Sequence, residues 1–117
     1  MSYHTIALPD LVIANGATDS NILYAQPHFR DADTIKLYGP TVMPETVTVY
    51  VSPVGSEASP PAAGDWRVLV NDSGANVTVP AGKAISIDLP SYGAIKLVAS
   101  GAVAAARTIA ATKGMWA

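Results

Sequence analysis

The chain has no cysteine, few charged residues and no long apolar run. Without cysteine, disulfides, thiolate metal ligands and a cysteine nucleophile are all excluded. Charged residues make up 14% of the chain, against roughly 25% in an ordinary soluble domain. The surface must therefore be built largely from Thr, Ser, Ala, Gly and Pro. Such a surface is typical of a protein that is packed against other proteins, and equally of a small all-β domain, so composition leaves both interpretations open.

Basic residues are scarce and scattered, and this distribution limits the kinds of partner that we expect the protein to bind. Lys and Arg together number seven, and the formal net charge is −2. A nucleic-acid-binding protein usually carries a basic stripe that neutralises phosphates, so we expect no nucleic-acid partner. A membrane span needs about eighteen consecutive apolar residues, so we expect no membrane partner either. The N-terminal segment MSYHTIALPD lacks a basic n-region and an apolar h-region, and we expect no secretion signal.

Gly and Pro, nine of each, interrupt the whole sequence and leave little room for helices. Between them lie short runs in which β-branched or apolar residues alternate with polar ones, the pattern of half-buried strands. The clearest predicted strands are 34–38, 46–51, 66–70, 77–79, 85–89 and 94–99. Weaker candidates are 4–8, 11–14 and 20–24.

Many short strands with regular turn signals predict an all-β fold. We expect one domain, an antiparallel β-sandwich of the jelly-roll or immunoglobulin-like kind, with about seven to nine short strands. Residues 1–30 would form an N-terminal arm and the first strands, and residues 31–117 the body of the same domain. The Ala-rich segment 102–112 is ambiguous. Its alanines favour a helix, but residues 107–112 can equally close a sheet, and we favour a final strand.

The Gly82-Lys83 pair raises the question of a phosphate-binding loop. That motif requires a glycine five residues before Gly82 and Ser or Thr after Lys83, whereas Val77 and Ala84 occupy those positions. The following residues also read as a strand, so no helix N-terminus is present to receive a phosphate. We interpret residues 80–83 as a turn, and predict a hairpin between strands 77–79 and 85–89.

No other pattern predicts a reaction. His4 and His28 lie in no zinc-ligand motif, and we expect His28 to be exposed in a polar loop. No serine sits in a GxSxG elbow. Asp31 and Asp33 lack the spacing of a calcium loop, so a solvated loop beside Arg30 is the favoured interpretation. We therefore expect no catalytic residue, metal or cofactor, and a protein that is not an enzyme.

Large apolar side chains, most of them aromatic, are the best candidates for contacts with a partner. Trp66 heads a predicted strand and is expected in the core or at its edge. Trp116 is costly to leave in water, and it can either fold back over its own domain or anchor the domain on a neighbour. The candidate partner-contact residues are Trp116, Met115, Tyr3, Tyr50 and Tyr92.

From residue 32 onward the order of strand motifs is familiar. DTIKLYGP at 33–40 and PETVTV at 44–49 precede the Trp66 strand, and VTVPAGK at 77–83, AIKLVASG at 94–101 and RTI at 107–109 follow it. This order resembles small virion proteins of tailed bacteriophages, of the kind found as head decoration (cement) proteins. The resemblance covers about two thirds of the chain, and it consists of β-sandwich patterns without a chemical signature.

The resemblance implies a non-catalytic protein that binds the outer head shell through the major capsid protein and stabilises it. It further implies synthesis in the cytoplasm of a host bacterium, a final location on the capsid surface of the virion, and assembly as a homo-oligomer in some such proteins. The alternative is a phage tail or fibre β-module that binds a host glycan or receptor. In that case Trp66, Tyr50, Tyr92 and the Pro-rich loop 52–64 would form an aromatic platform.

Overall fold

A computed structural model describes residues 2–88 and 92–116 and shows two antiparallel β-sheets. Within these residues there are nine strands and two short helical turns, Ala25–Phe29 and Ala63–Asp65. The strands are β1 Tyr3–Ala7, β2 Leu11–Ile13, β3 Leu23–Tyr24, β4 Thr34–Tyr38, β5 Val47–Ser52, β6 Arg67–Val68, β7 Ala84–Asp88, β8 Ala94–Ala99 and β9 Arg107–Trp116. The predicted all-β, antiparallel, single-domain sandwich is confirmed.

The first sheet is organised around β9. Its strand order is β1-β9-β4-β7, and β2 also pairs with β9. On one side β9 pairs first with β2, through Leu11 opposite Ile109, and then with β1, through Tyr3 opposite Trp116. On the other side it pairs with β4. The ambiguous C-terminal segment is thus a strand from Arg107 onward, and it continues beyond the predicted end at residue 112.

The second sheet has the order β3-β8-β5-β6. Its main ladder joins β5 to β8, with Val47 opposite Ala99 and Val51 opposite Ile95. Residues 77–79 lie along β5 as well, because the Val79 N–H donates to the Val47 carbonyl at 2.9 Å.

Alternating aliphatic side chains from both sheets fill the space between them. Ile35 and Leu37 of β4, Val49 of β5, Leu97 of β8 and Ile109 of β9 have no solvent exposure. Burial of one such side chain contributes roughly 1.5–3 kcal/mol to folding. This period-2 pattern is the one from which the strands were predicted, so local pattern and global burial agree.

The predicted hairpin across residues 80–83 is wrong. Residues 77–79 pair with β5 in the second sheet, whereas β7 pairs with β4 in the first, through Ile87 opposite Ile35. The turn therefore carries the chain from one sheet to the other. Gly82 adopts a φ of 68° within it, which glycine accepts without steric strain, and its N–H donates to the Pro40 carbonyl at 2.9 Å. Leu89, predicted as the last residue of this strand, lies outside the described residues.

Two local predictions also need correction. The strand expected over residues 66–70 contains only Arg67–Val68, and Leu69 packs against the core whereas Val70 is half exposed. His28 is half-buried and not exposed as expected. Its Nδ1 accepts a hydrogen bond of 2.8 Å from the Tyr24 N–H, because the helical turn after Tyr24 brings the ring back over the strand end.

Candidate interaction surface

The strand pair formed by β1 and the end of β9 extends beyond the buried core. All five residues of β1 are exposed, whichever face of the sheet they lie on. In β4, by contrast, Ile35 and Leu37 are buried between exposed or half-exposed neighbours. The second sheet therefore covers the inner face of β4 but does not bury β1, and Ile6 is left 42% exposed.

The register of the first sheet brings the outward side chains of three strands together. Tyr3 lies opposite Trp116, Thr5 and Thr34 lie on either side of Gly114, and Lys36 lies opposite Thr112. We name this outer face of the sheet the Tyr3–Trp116 surface. Its residues are Tyr3, Thr5, Thr34, Lys36, Tyr38, Thr112, Gly114 and Trp116.

Tyr3 and Trp116 form an aromatic pair at the exposed end of this surface. Their ring centroids are 5.0 Å apart and the ring planes meet at 79°, an edge-to-face arrangement that aromatic quadrupoles favour. Trp116 nevertheless remains 59% exposed and Tyr3 45% exposed. The C-terminal tryptophan therefore packs on one tyrosine of its own chain and presents most of its surface to solvent.

Gly114 allows Tyr3 to lie flat across β9. A Cβ at position 114 would overlap the hydroxyl and ring of Tyr3. The Tyr3 ring crosses this gap, and its hydroxyl lies 3.2 Å from Thr34 Oγ1. An aromatic ring over a glycine in a neighbouring strand covers backbone that would otherwise be open to water.

Tyr38 mirrors this arrangement on the other side of β9. Its hydroxyl lies 3.3 Å from Thr112 Oγ1. Between the two tyrosines is a shallow cleft of about 160 Å³ whose lining includes Lys36, the one charged residue among those that form it. The surface is therefore flat, rich in hydroxyl groups and nearly uncharged.

The charged residues of β9 all lie on its inner face, and each has a partner. Arg107 makes a bidentate contact with Glu45 at 3.0 and 3.1 Å, and the Lys113 ammonium lies 2.9 Å from Asp31 Oδ1. The hydrogen bond from Arg107 lowers the pKa of Glu45, and the one from Lys113 lowers the pKa of Asp31. Asp31, which the sequence places in a solvated loop beside Arg30, remains exposed in that loop and pairs with the distant Lys113.

The free edge of the first sheet is closed at β2 by residues 20–21, through the Asn21 side chain and an antiparallel backbone bridge between Ile13 and Ser20. The Val12 N–H donates to Asn21 Oδ1 at 2.7 Å, and Asn21 Nδ2 donates to the Asp10 carbonyl at 3.0 Å. The amide of Asn21 thus bonds to β2 much as the peptide group of a neighbouring strand would. The Val12 N–H and the Asp10 carbonyl therefore have a partner from within the chain.

The same edge is open at β1. Leu8 N–H donates to the Ala111 carbonyl, and hydrogen-bonded pairs alternate along an antiparallel ladder. His4 and Ile6 therefore direct their backbone groups to β9, whereas those of Tyr3, Thr5 and Ala7 point away from the sheet. Within residues 2–88 and 92–116, no backbone or side-chain group bonds to these outward N–H and carbonyl groups.

Tyr3, Met115 and Trp116, three of the predicted partner-contact residues, lie on this strand pair. Met115 is half-buried and lies opposite His4, on the other face of β9 from Trp116. Tyr50 and Tyr92 lie elsewhere. Tyr50 is on β5 opposite Lys96, and Tyr92 packs against the core.

Sequence reasoning missed Lys36, Tyr38 and Gly114. The alternation in β4 indicated that Lys36 and Tyr38 share its outward face, but no local signal connected that face to the two ends of the chain. Gly114 lies between Lys113 and Met115, and no role is predicted for it from the sequence. A glycine at a position where an alternating pattern continues on both sides can signal a close approach of another group, and this signal was present.

For the part of the chain that the structure describes, no group of three or more His, Asp or Glu residues is arranged to hold a metal ion. The helical segments within that part are all too short to cross a bilayer. No protein family, curated protein or solved structure matches this chain.

Proposed function

We propose that the protein is a non-catalytic virion component that binds the outer shell of a phage head and stabilises it, with the major capsid protein as its partner. The order of strand motifs suggests the class of protein. The Tyr3–Trp116 surface is the observation that carries a binding role, because it is a flat, aromatic and nearly uncharged face on the exposed end of a rigid sheet.

The chemistry of this surface fits contact with another protein. Cores of protein interfaces are poor in charged residues and enriched in Tyr, Trp and Met. Tyr and Trp are also frequent among the few residues that supply most of the binding energy. Tyr3 and Trp116 are held by β1 and β9 and by their contact with each other, so little side-chain freedom remains to be lost on binding.

The test is to mix the purified protein with expanded, undecorated capsids of the phage that encodes it and to measure occupancy by electron microscopy. We expect ordered density on the shell, with Trp116 at the contact. Trp116→Ala should lower the affinity about tenfold or more, as expected for the loss of a large aromatic anchor. Val54→Ala is the matched control, because Val54 is 51% exposed on a loop away from this surface. Shells without ordered density at saturating protein would refute the proposal.

A tail or fibre module that binds a host glycan is the alternative proposal. Its expected platform is only partly assembled, because the Lys96 ammonium lies 4.6 Å from the centre of the Trp66 ring and Tyr92 packs against the core. Lys96 is also paired with Asp19 at 2.9 Å, so an intramolecular cation already occupies this aromatic face. Binding on a glycan array that is lost in Trp66→Ala, with no binding to capsids, would favour the alternative.

A further inference from the structure

We infer that β1 is a self-association edge, through which two copies of the chain join their first sheets by antiparallel β1–β1 pairing. The inference does not depend on the proposed function. It starts from the outward N–H and carbonyl groups of Tyr3, Thr5 and Ala7, an array that matches the hydrogen-bonding edge of another strand.

β1 lacks the features by which proteins protect such edges. Charged side chains, proline, bulges and covering loops are the usual devices. The sequence of β1, YHTIA, contains no Lys, Arg, Asp, Glu or Pro. Elsewhere the chain protects its edges: Asn21 closes the edge at β2, and at the opposite edge of the sheet β7 ends in the charged Asp88.

The strand is complementary to itself in one register. If two β1 strands meet antiparallel about Thr5, the hydrogen-bonded pairs are Tyr3 with Ala7, Thr5 with Thr5, and Ala7 with Tyr3. Every outward backbone group of the three residues then has a partner, with two bonds in each pair. A large ring lies opposite a small methyl group, and two threonines, which pair well across strands, meet at the axis.

The second copy also covers apolar surface that the monomer leaves exposed. On the inner face Ile6, 42% exposed, would lie opposite His4 of the other copy. On the outer face the two Tyr3–Trp116 surfaces would become continuous across the central threonines, while each Tyr3 ring stays over Gly114 of its own chain. The result is a ten-stranded sheet with the order β7-β4-β9-β1-β1-β9-β4-β7, in which one β2 also pairs with each β9.

The short contact limits the strength of the dimer. Five residues a side bury less than the roughly 800 Å² per partner of a standard interface. We therefore expect a reversible dimer with a dissociation constant in the micromolar range, on the order of 10–100 μM. Sedimentation velocity from about 1 μM to about 1 mM spans that range.

Thr5→Pro tests the edge without destroying the strand. The Thr5 N–H points away from β9, and proline is tolerated in an edge strand where its nitrogen faces solvent. We expect Thr5→Pro to weaken the dimer at least tenfold, whereas Thr5→Val, which keeps the N–H, should still dimerise. Hydrogen exchange of His4 and Ile6 checks that β1 remains paired with β9.

Cysteine cross-linking tests the register in a chain that has no native cysteine. Residues in a hydrogen-bonded pair have Cα atoms about 5.5 Å apart, within the range of a disulfide. Thr5→Cys should therefore form a cross-linked dimer under oxidation. Ala7→Cys alone should not, because two Ala7 residues would be roughly 14 Å apart along the strands. A mixture of Tyr3→Cys and Ala7→Cys chains should form the heterodimer.

Amide exchange in the unmodified protein gives an independent result. In the dimer, the Tyr3, Thr5 and Ala7 amides should become protected as concentration rises, whereas His4 and Ile6 should be protected throughout. A protein that stays monomeric up to about 1 mM, or a dimer in which the amides of residues 3, 5 and 7 still exchange freely, would overturn the inference. Failure to bind capsids would leave it untouched.

Discussion

β1 and β2 run along the same side of β9, yet the two halves of this edge differ. β2 is buried on its inner face by Leu11 and Ile13, and Asn21 bonds to its free backbone groups. β1 is exposed on both faces, and its outward backbone groups have no partner within residues 2–88 and 92–116. One strand, β9, therefore contributes to the buried core at its start and carries exposed aromatic surface at its end.

The largest expected effect concerns the buried half of this edge. Leu11, opposite Ile109, has no solvent exposure, so Leu11→Ala should lower the free energy of unfolding by about 2–5 kcal/mol through lost burial and a residual cavity. In the exposed half, Tyr3→Ala should cost about 1 kcal/mol or less. Urea unfolding at low micromolar protein measures both. Equal losses would show that β1 belongs to the stabilising core.

A smaller effect is expected where Asn21 closes the edge. Asn21→Ala removes the partners of the Val12 N–H and the Asp10 carbonyl, both of which water can then reach. We expect a loss of about 0.5–1.5 kcal/mol and faster exchange of the Val12 amide. Asn15→Ala is a control, because no side-chain hydrogen bond from Asn15 occurs among the described residues. An unchanged Val12 exchange rate would show that the Asn21 contact has no protective role.

The smallest expected effect is a loss of stability in acid, and it involves one ion pair beside each half of the edge along β9. The pKa of Glu45 is lowered by Arg107 and that of Asp31 by Lys113. The ordinary pKa is 4.5 for Glu45 and 3.8 for Asp31. Above its ordinary pKa each carboxylate makes its full contribution to stability, and this contribution is lost as the pH falls through the lowered pKa. The free energy of unfolding should decline below about pH 4.5.

Glu45→Gln and Asp31→Asn isolate the two ion pairs. Each substitution should flatten part of the acid decline in urea unfolding measured between pH 7 and pH 2.5, because the neutral side chain no longer titrates. Asp10→Asn, in which an exposed carboxylate outside both pairs is changed, is the control. If the double variant retained the full pH dependence, these pairs would not be its source.

Local pattern was enough to predict most strands. Val47, Val49 and Val51 alternate with Thr48 and Tyr50, and the structure places the valines inward, because period-2 alternation matches the geometry of a strand with one face buried. The hairpin over residues 80–83 failed for the opposite reason. A turn between two apolar runs does not say which strands those runs will join, and here each found its partner more than 25 residues away, in β5 and β4.

The candidate surface was predictable only as a set of residues. Tyr3, Met115 and Trp116 are among the partner-contact residues predicted from the sequence. Their meeting depends on the pairing of β1 with β9, a contact across more than 100 residues. Tyr50 and Tyr92, which are predicted contact residues as well, lie elsewhere, since aromatic content carries no information about sheet order.

The fold class follows from local sequence features, because alternation, turn residues and the lack of charge act over a few neighbouring positions and leave a sandwich as the way to bury the apolar faces. Three features are visible only in the folded chain: the neighbours of each strand, the room that Gly114 makes for Tyr3, and the closure of one half of an edge by Asn21 while the other half is open. Those features depend on the register between distant strands, and register is set by the combined burial and hydrogen bonding of the whole sheet.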